Sequence, residues 1–246
     1  MMRKYFICII FMLIPNFLIP YILRLLGCHC NNRVRIGYFN IILVDKIELY
    51  KDISIGHFNF IRVNSLILGE YSYINYFNQI RGPFDLILSD KAAIGKNNMI
   101  IRAKKGITYG ESKLALGKLT KINSFHFLDL TRSIVFKDFS ILAGVRSQIW
   151  THGYVHAEKG KDRYRVDGEV EIGNNVYIGS GCLINPGVTI SNAINVGGNT
   201  TVAKSLIESG MYVSSGLRFL SKNYDDIKKS LKKISVDGLV EEVYEK

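Results

Sequence analysis

Residues 171–206 read EIGNNV YIGSGC LINPGV TISNAI NVGGNT TVAKSL. The second place of every hexad is aliphatic: Ile172, Ile178, Ile184, Ile190, Val196 and Val202. The third is small or turn-tolerant: Gly173, Gly179, Asn185, Ser191, Gly197 and Ala203. A period of six matches neither the 3.6 of an amphipathic helix nor the two of a strand hairpin. It describes a chain that turns a corner every six residues, sending one aliphatic inward from each short strand. The next residue enters the turn, where small or left-handed-tolerant residues fit. Three such strands close a triangular coil, and stacked coils bury a continuous aliphatic column.

The same interval runs upstream in blocks. Leu68, Ile74, Ile80 and Leu86 keep it, as do Ile94 and Ile100, and then Leu116, Ile122, Leu128 and Ile134. The register slips between blocks, so insertions or larger corners must interrupt the winding. This predicts one all-β solenoid over residues 34–215, carrying a loop at 153–170, with appendages at 1–33 and 216–246.

The first appendage contains the apolar run Tyr5 to Leu26, broken at Pro15 and Pro20, with Arg3, Lys4 and Arg24 beside it. The prolines disfavour one continuous helix, and no small-residue cleavage site follows. An apolar helical segment is expected. It either lies in the membrane interface, caps the first coil or contacts another subunit, all ahead of a bilayer span. In the second appendage Ile227, Leu231 and Ile234 recur at helical spacing, with Lys228, Lys229, Lys232 and Lys233 on the polar side, and a short C-terminal helix is expected.

The chain of 246 residues is 48% hydrophobic and carries a formal charge of +11, so it folds and favours an anionic partner. The basic residues are scattered and no nucleic-acid-binding signature is present, which excludes nucleic acid. Cys8, Cys28, Cys30 and Cys182 form no disulfide framework, and the Cys28-His29-Cys30 spacing is wrong for zinc. The reading is cytoplasmic, including association with the inner face of the membrane.

The six-residue register breaks between Trp150 and Glu171. Trp150-Thr151-His152-Gly153-Tyr154-Val155-His156 leads there into a polar stretch. A loop thrust from a rigid coil with two histidines at its root is where chemistry concentrates. An imidazole near neutral pH can take a proton from a hydroxyl nucleophile, and His152 and His156 compete for that role. His29, His57 and His126 are read as structural. Lys159, Lys161, Arg163 and Arg165 in the loop either reach an acidic sugar or a neighbouring subunit, or form a solvated charged surface.

Asn175-Val176-Tyr177-Ile178-Gly179-Ser180 followed by Ile184-Asn185-Pro186-Gly187-Val188-Thr189-Ile190 resembles the hexapeptide-repeat acetyltransferases, in particular the maltose and galactoside O-acetyltransferases and those acting on bacterial surface polysaccharides. The Trp150-Thr151-His152 segment resembles the strand that ends at their catalytic histidine. The resemblance implies a left-handed parallel β-helix. It also implies transfer of an acetyl group from acetyl-CoA to a sugar hydroxyl, without a metal, in a homotrimer whose acyl sites lie between neighbouring β-helices. It assigns the oxyanion contact to the Ser180 amide, and contact with acetyl-CoA to Tyr177, Gly198, Ala203 and Lys204. The family's usual closing arginine is replaced by Val213-Ser214-Ser215-Gly216-Leu217-Arg218, in which Arg218 stands for it. Three rival readings are acetyl transfer to an amino sugar or serine, a non-catalytic β-helix scaffold, and a γ-class carbonic anhydrase, whose third histidine ligand is not evident.

Overall fold

A computed structural model describes residues 2–214, 228–236 and 242–246. The repeat of 171–206 becomes three-sided coils. Ile172 pairs with Ile190, Ile178 with Val196 and Ile184 with Val202, so each hexad meets the third hexad after it. All strand pairs along the coils are parallel, and the faces stack from Val34–Ile36 at one end to Gly210–Tyr212 at the other. Two of the three faces merge into one sheet at the first coils. There the strands Ile41–Leu49 and Phe60–Leu68 run unbroken round a corner, and Phe60–Leu68 pairs with Gln79–Arg81 on one face and Asp85–Leu88 on the next. The fold is a parallel β-helix, the all-β solenoid class read from the hexads.

The interior follows the expected aliphatics. Leu68, Ile74, Ile80, Leu86, Ile94, Ile100, Leu116, Ile122, Leu128 and Ile134 are all buried in one core with Ile172 to Val202. At about 1.5–3 kcal/mol for each large aliphatic removed from water, this column dominates stability. The register slips have structural causes. Residues between Ile101 and Lys113 bulge out of one coil, and a hairpin of His152–His156 with Arg163–Asp167 leaves another.

One corner departs from expectation. Small residues were predicted, yet Phe39, Phe58, Phe77 and Phe125 occupy left-handed backbone there, with φ of 58° to 60°. Each places its ring outside the coil, and Phe58 stacks on Phe39 and Phe77 at 5.2 and 5.1 Å. Stacking of this kind offsets a left-handed conformation costing about 1–2 kcal/mol. The residue after each phenylalanine builds a buried polar ladder inside the corner. The backbone N–H of Asn59 donates to Asn40 Oδ1, Asn78 to Asn59 Oδ1, Asn98 to Asn78 Oδ1 and His126 to Asn98 Oδ1, each at 2.9 Å. The ladder continues through Ser147, whose N–H donates to His126 Nδ1, and Cys182, whose N–H donates to Ser147 Oγ.

The N-terminal segment forms α1 (Met2–Leu13) and α2 (Ile19–Leu25), separated at Pro15. Ile7, Ile10, Phe11, Ile19 and Leu23 join the core, so the pair caps the first coil. Asn16 Oδ1 accepts the Ile36 N–H, and Arg24 Nε donates to the Cys30 carbonyl, fastening the cap. No helix among the described residues is long and apolar enough to cross a membrane.

The tail differs from the expected helix over 216–246. Lys228 and Lys229 are helical, but Lys232–Ile234 and Val243–Glu245 are strands, while Ile227 lies outside the described residues. Val243–Glu245 runs parallel to Arg163–Asp167 and antiparallel to Lys232–Ile234. The edge of the protruding hairpin offers unpaired backbone groups to the tail, and burial of Val243 and Tyr244 fixes the pairing as strands.

Candidate active site

The break in the register places its residues at the corner where the strand Gln148–Ile149 ends. Ile149 is buried in the coil, so the chain emerges at Trp150 and runs into the hairpin as His152–His156. On this strand His152, Tyr154 and His156 alternate onto one side, with ring separations of 5.9 and 6.5 Å in sequence. Trp150 adds a fourth ring, edge-on to His152 at 5.7 Å and packed on Phe127 at 4.8 Å.

His152 meets a carboxylate. Its Nδ1 lies 2.8 Å from Asp129 Oδ2. Asp129 is buried, on the preceding coil, and its remaining acceptor capacity is filled. Thr131 Oγ1 donates to Oδ1 at 3.0 Å, the Thr151 N–H donates to Oδ2 at 3.0 Å, and Thr151 Oγ1 reaches the same oxygen at 2.7 Å. Burial pushes the Asp129 carboxyl up, but His152 and the Thr151 donors outweigh it and hold the group below its usual value. An ionised Asp129 beside Nδ1 favours the tautomer with its proton there, which leaves Nε2 as the ring nitrogen able to accept one. The imidazole itself is partly exposed.

A second buried pair supports the strand. Asp167 lies directly opposite His152 in the hairpin, and Arg165 grips it with Nε at 2.8 Å and a second nitrogen at 3.1 Å. Burial raises the Asp167 carboxyl despite that guanidinium. Arg132 joins the coil to the tail. Its backbone N–H donates to Thr151 Oγ1, and its guanidinium meets Glu245 at 2.8 Å and Glu169 at 3.2 Å.

His156 is exposed at the hairpin tip, pairing in register with Arg163, and lies four residues along an extended strand from His152. Ser180 lies elsewhere, at the corner preceding Leu183–Ile184, a strand on the same face as Gln148–Ile149. One chain therefore places Ser180 and His152 at opposite ends of a face. Ser180 packs beside Gly144, where an added Cβ would collide with Ser180 Oγ, so only glycine fits. Gly198 shares that corner, within reach of the Ser180 carbonyl. Tyr177 is exposed on the strand before it, and Ala203 and Lys204 are exposed at the far end of the strand Thr201–Val202. Arg218 lies outside the described residues. Of the four loop cations, Arg165 is buried in its ion pair, which corrects the reading of a wholly solvated or ligand-facing cluster; Arg163, Lys159 and Lys161 are exposed. His126 takes a place in the buried ladder, and all four cysteines are buried and outside any disulfide. Among the described residues no group of three or more His, Cys, Asp or Glu could hold a metal ion.

Asp129 went unnoticed in the sequence because it stands 23 residues from His152 within an ordinary-looking strand. Coil register carries the signal. Leu128 and Ile149 are both interior aliphatics and pair across the coils, which sets Asp129 beside the Trp150-Thr151-His152 segment.

No family model and no curated protein matches the chain. Solved structures do. The polysialic acid O-acetyltransferase OatWY is 16% identical over 82% of this chain and 93% of its own, with a TM-score of 0.49. A point mutant of AntD, an N-acyltransferase from Bacillus cereus in complex with dTDP and coenzyme A, is 15% identical over 85% of this chain and 92% of its own, at 0.34. The UDP-N-acetylglucosamine O-acyltransferase (LpxA) of Moraxella catarrhalis is 15% identical over 82% and 76%, at 0.30. Each of these three solved structures is that of an acyltransferase.

Proposed function

We propose that the chain is a CoA-dependent acyltransferase that moves an acetyl group from acetyl-CoA to a sugar hydroxyl, with His152 as general base. The observation that carries this reading is the 2.8 Å contact between His152 Nδ1 and a buried, hydrogen-bonded Asp129. A sugar hydroxyl is a poor nucleophile until its proton has somewhere to go. His152 Nε2 takes that proton as the oxygen attacks the thioester carbonyl. The carbonyl π electrons move onto oxygen, and the Ser180 amide is the donor proposed for that oxyanion. When the carbonyl re-forms, the C–S bond breaks, and the imidazolium returns its proton to the departing thiolate. Asp129 stays ionised throughout and holds the ring.

Two features support an assembled site. His152 and Ser180 stand at opposite ends of one face in a single chain, and a homotrimer in which one copy's His152 faces the next copy's Ser180 reconciles them. Lys204, exposed at the end of its strand, is the cation proposed for a CoA phosphate. Peripheral membrane contact is part of the same reading. The outer sides of α1 and α2 expose Tyr5, Phe6, Ile9, Met12, Tyr21 and Leu25, with Arg24 beside them.

The test is a screen of sugar acceptors with acetyl-CoA, followed by thiol release. His152→Ala is expected to lower turnover by about 10²–10⁴-fold, the usual worth of a positioned base, while folding and CoA binding persist. His156→Ala is expected to keep most of the activity. Full activity of the double variant would end the mechanism.

A further inference from the structure

A cation-lined groove adjoins the His152 corner. It encloses about 420 Å³ beside the outward bulge that follows Ile101. Its cations are Arg62, Arg81, Arg102, Lys104 and Lys105, against one carboxylate, Asp45. Arg62 and Arg81 are directly in register on neighbouring strands, and both are exposed. Like charges placed opposite each other in a sheet are destabilising, and no carboxylate of the described residues pairs with either guanidinium.

Arg102, beneath them, is buried. Its terminal nitrogens donate to the carbonyls of Pro83, Tyr109 and Gly110, while its buried Nε has no partner. It also lines an adjoining cavity of about 470 Å³, in which the buried Tyr109 hydroxyl is likewise without a partner and Asp85 and Glu111 supply the acidic groups. The groove is thus shaped, positively charged and underlain by a fixed cation.

Its position ties it to the site. Along the outer row of this face Arg62 pairs with Arg81, Arg81 with Ile101, and Ile101 with Asp129. Two strand spacings separate Arg81 from the carboxylate that holds His152, about 10 Å at the usual inter-strand distance. A chain-like molecule that follows this row from Arg62 past Arg81 and Ile101 reaches the strand of Asp129, the partner of His152.

We infer that this groove binds the acceptor, and that the acceptor is an anionic saccharide whose carboxylate or phosphate groups meet Arg62 and Arg81. This rests on the acyltransferase reading for what happens at His152, but its binding test does not. Trp150, the single tryptophan of the chain, packs edge-on to His152 and reports arrival at the site through its emission. The probes are an oligogalacturonate, its carboxyl-reduced neutral form, a sugar nucleotide, and CoA.

Arg62→Gln/Arg81→Gln is expected to weaken binding of the oligogalacturonate or the sugar nucleotide by about tenfold or more, from the loss of charge-assisted hydrogen bonds. The arm that loses affinity names the anion. The neutral oligomer should bind weakly to both proteins. Lys118→Gln/Lys121→Gln removes the same charge from another face and should leave every affinity within about twofold, since only general attraction is lost. Equal losses in the two variants, no loss in either anionic arm, or a loss confined to CoA would each overturn the assignment. Thiol release separates the two readings. Arginine-dependent binding without turnover on any acceptor leaves the groove standing and removes acyl transfer. Turnover of the anionic acceptor unchanged in the arginine variant does the reverse.

Discussion

His152 owes its place in the proposed chemistry to a neighbour on the preceding coil, Asp129. Asp129 supplies a charge, a hydrogen-bond acceptor and a fixed position, and its own orientation is enforced by Thr131 and Thr151. Asp129→Asn keeps the shape but offers an amide that can face Nδ1 with either its oxygen or its N–H, so the tautomer is no longer dictated. We expect kcat to fall by roughly 10²-fold or more with little change in KM; a variant with wild-type kcat would remove Asp129 from the mechanism. The same substitution has a signature in stability. The folded carboxyl titrates below its ordinary value of 3.8, so its stabilising contribution is complete above that value and is lost as pH falls through the lower folded one. Acid unfolding of the Asn variant should lack that component. Both histidines were legible from the broken hexads, but the partner of His152 was not, because Asp129 comes from the previous coil.

The corner ladder shows how an element can be specified by stacking rather than by local propensity. Four asparagines each hand a side-chain oxygen to the next coil's backbone, and His126 takes the fifth rung. Its Nδ1 accepts the Ser147 N–H at 3.1 Å, while its Nε2 is buried without a partner. Burial pushes the imidazole down to about 4, against 6.5 when exposed. The unfolded chain therefore binds a proton that the folded one refuses, and stability falls as pH drops from about 6.5 toward 4, by on the order of 3 kcal/mol at 1.36 kcal/mol per pH unit. His126→Asn continues the ladder with the residue used on the other rungs and an oxygen in place of Nδ1. We predict that denaturant unfolding compared at pH 7 and pH 4.5 shows a smaller loss of stability for this variant than for the wild type. An equal loss would mean that the acid sensitivity lies elsewhere. The interior aliphatics of these coils were readable one by one, whereas the aromatic corners were not, since the stacking of Phe39, Phe58 and Phe77 joins rings from successive coils.

Across the whole molecule, the solenoid is extended by a four-stranded sheet that joins the protruding hairpin to the strands of the tail. Tyr164 of the hairpin is fully buried against Tyr244, with ring centroids 4.9 Å apart, and Arg132 ties Glu245 to the His152 corner. Tyr244→Ala should destabilise the hairpin by about 3 kcal/mol, the scale of an aromatic truncation in a core. We expect faster proteolysis between Ala157 and Asp162 and a lower kcat, with the coils beyond the hairpin still protected. Uniform loss of protection would mean that the hairpin and solenoid unfold as one unit. By itself the sequence determined the solenoid, because a six-residue aliphatic period has only one way to bury every member. It also located the corner where the chain leaves the coil, because a polar insertion with histidines cannot enter that column. Tertiary structure alone decided that His152 meets Asp129, that the tail pairs as strands, and that Arg62 and Arg81 share a groove with the row leading to Asp129. Each of these depends on residues brought together across coils or from the far end of the chain, and local periodicity carries no record of such contacts.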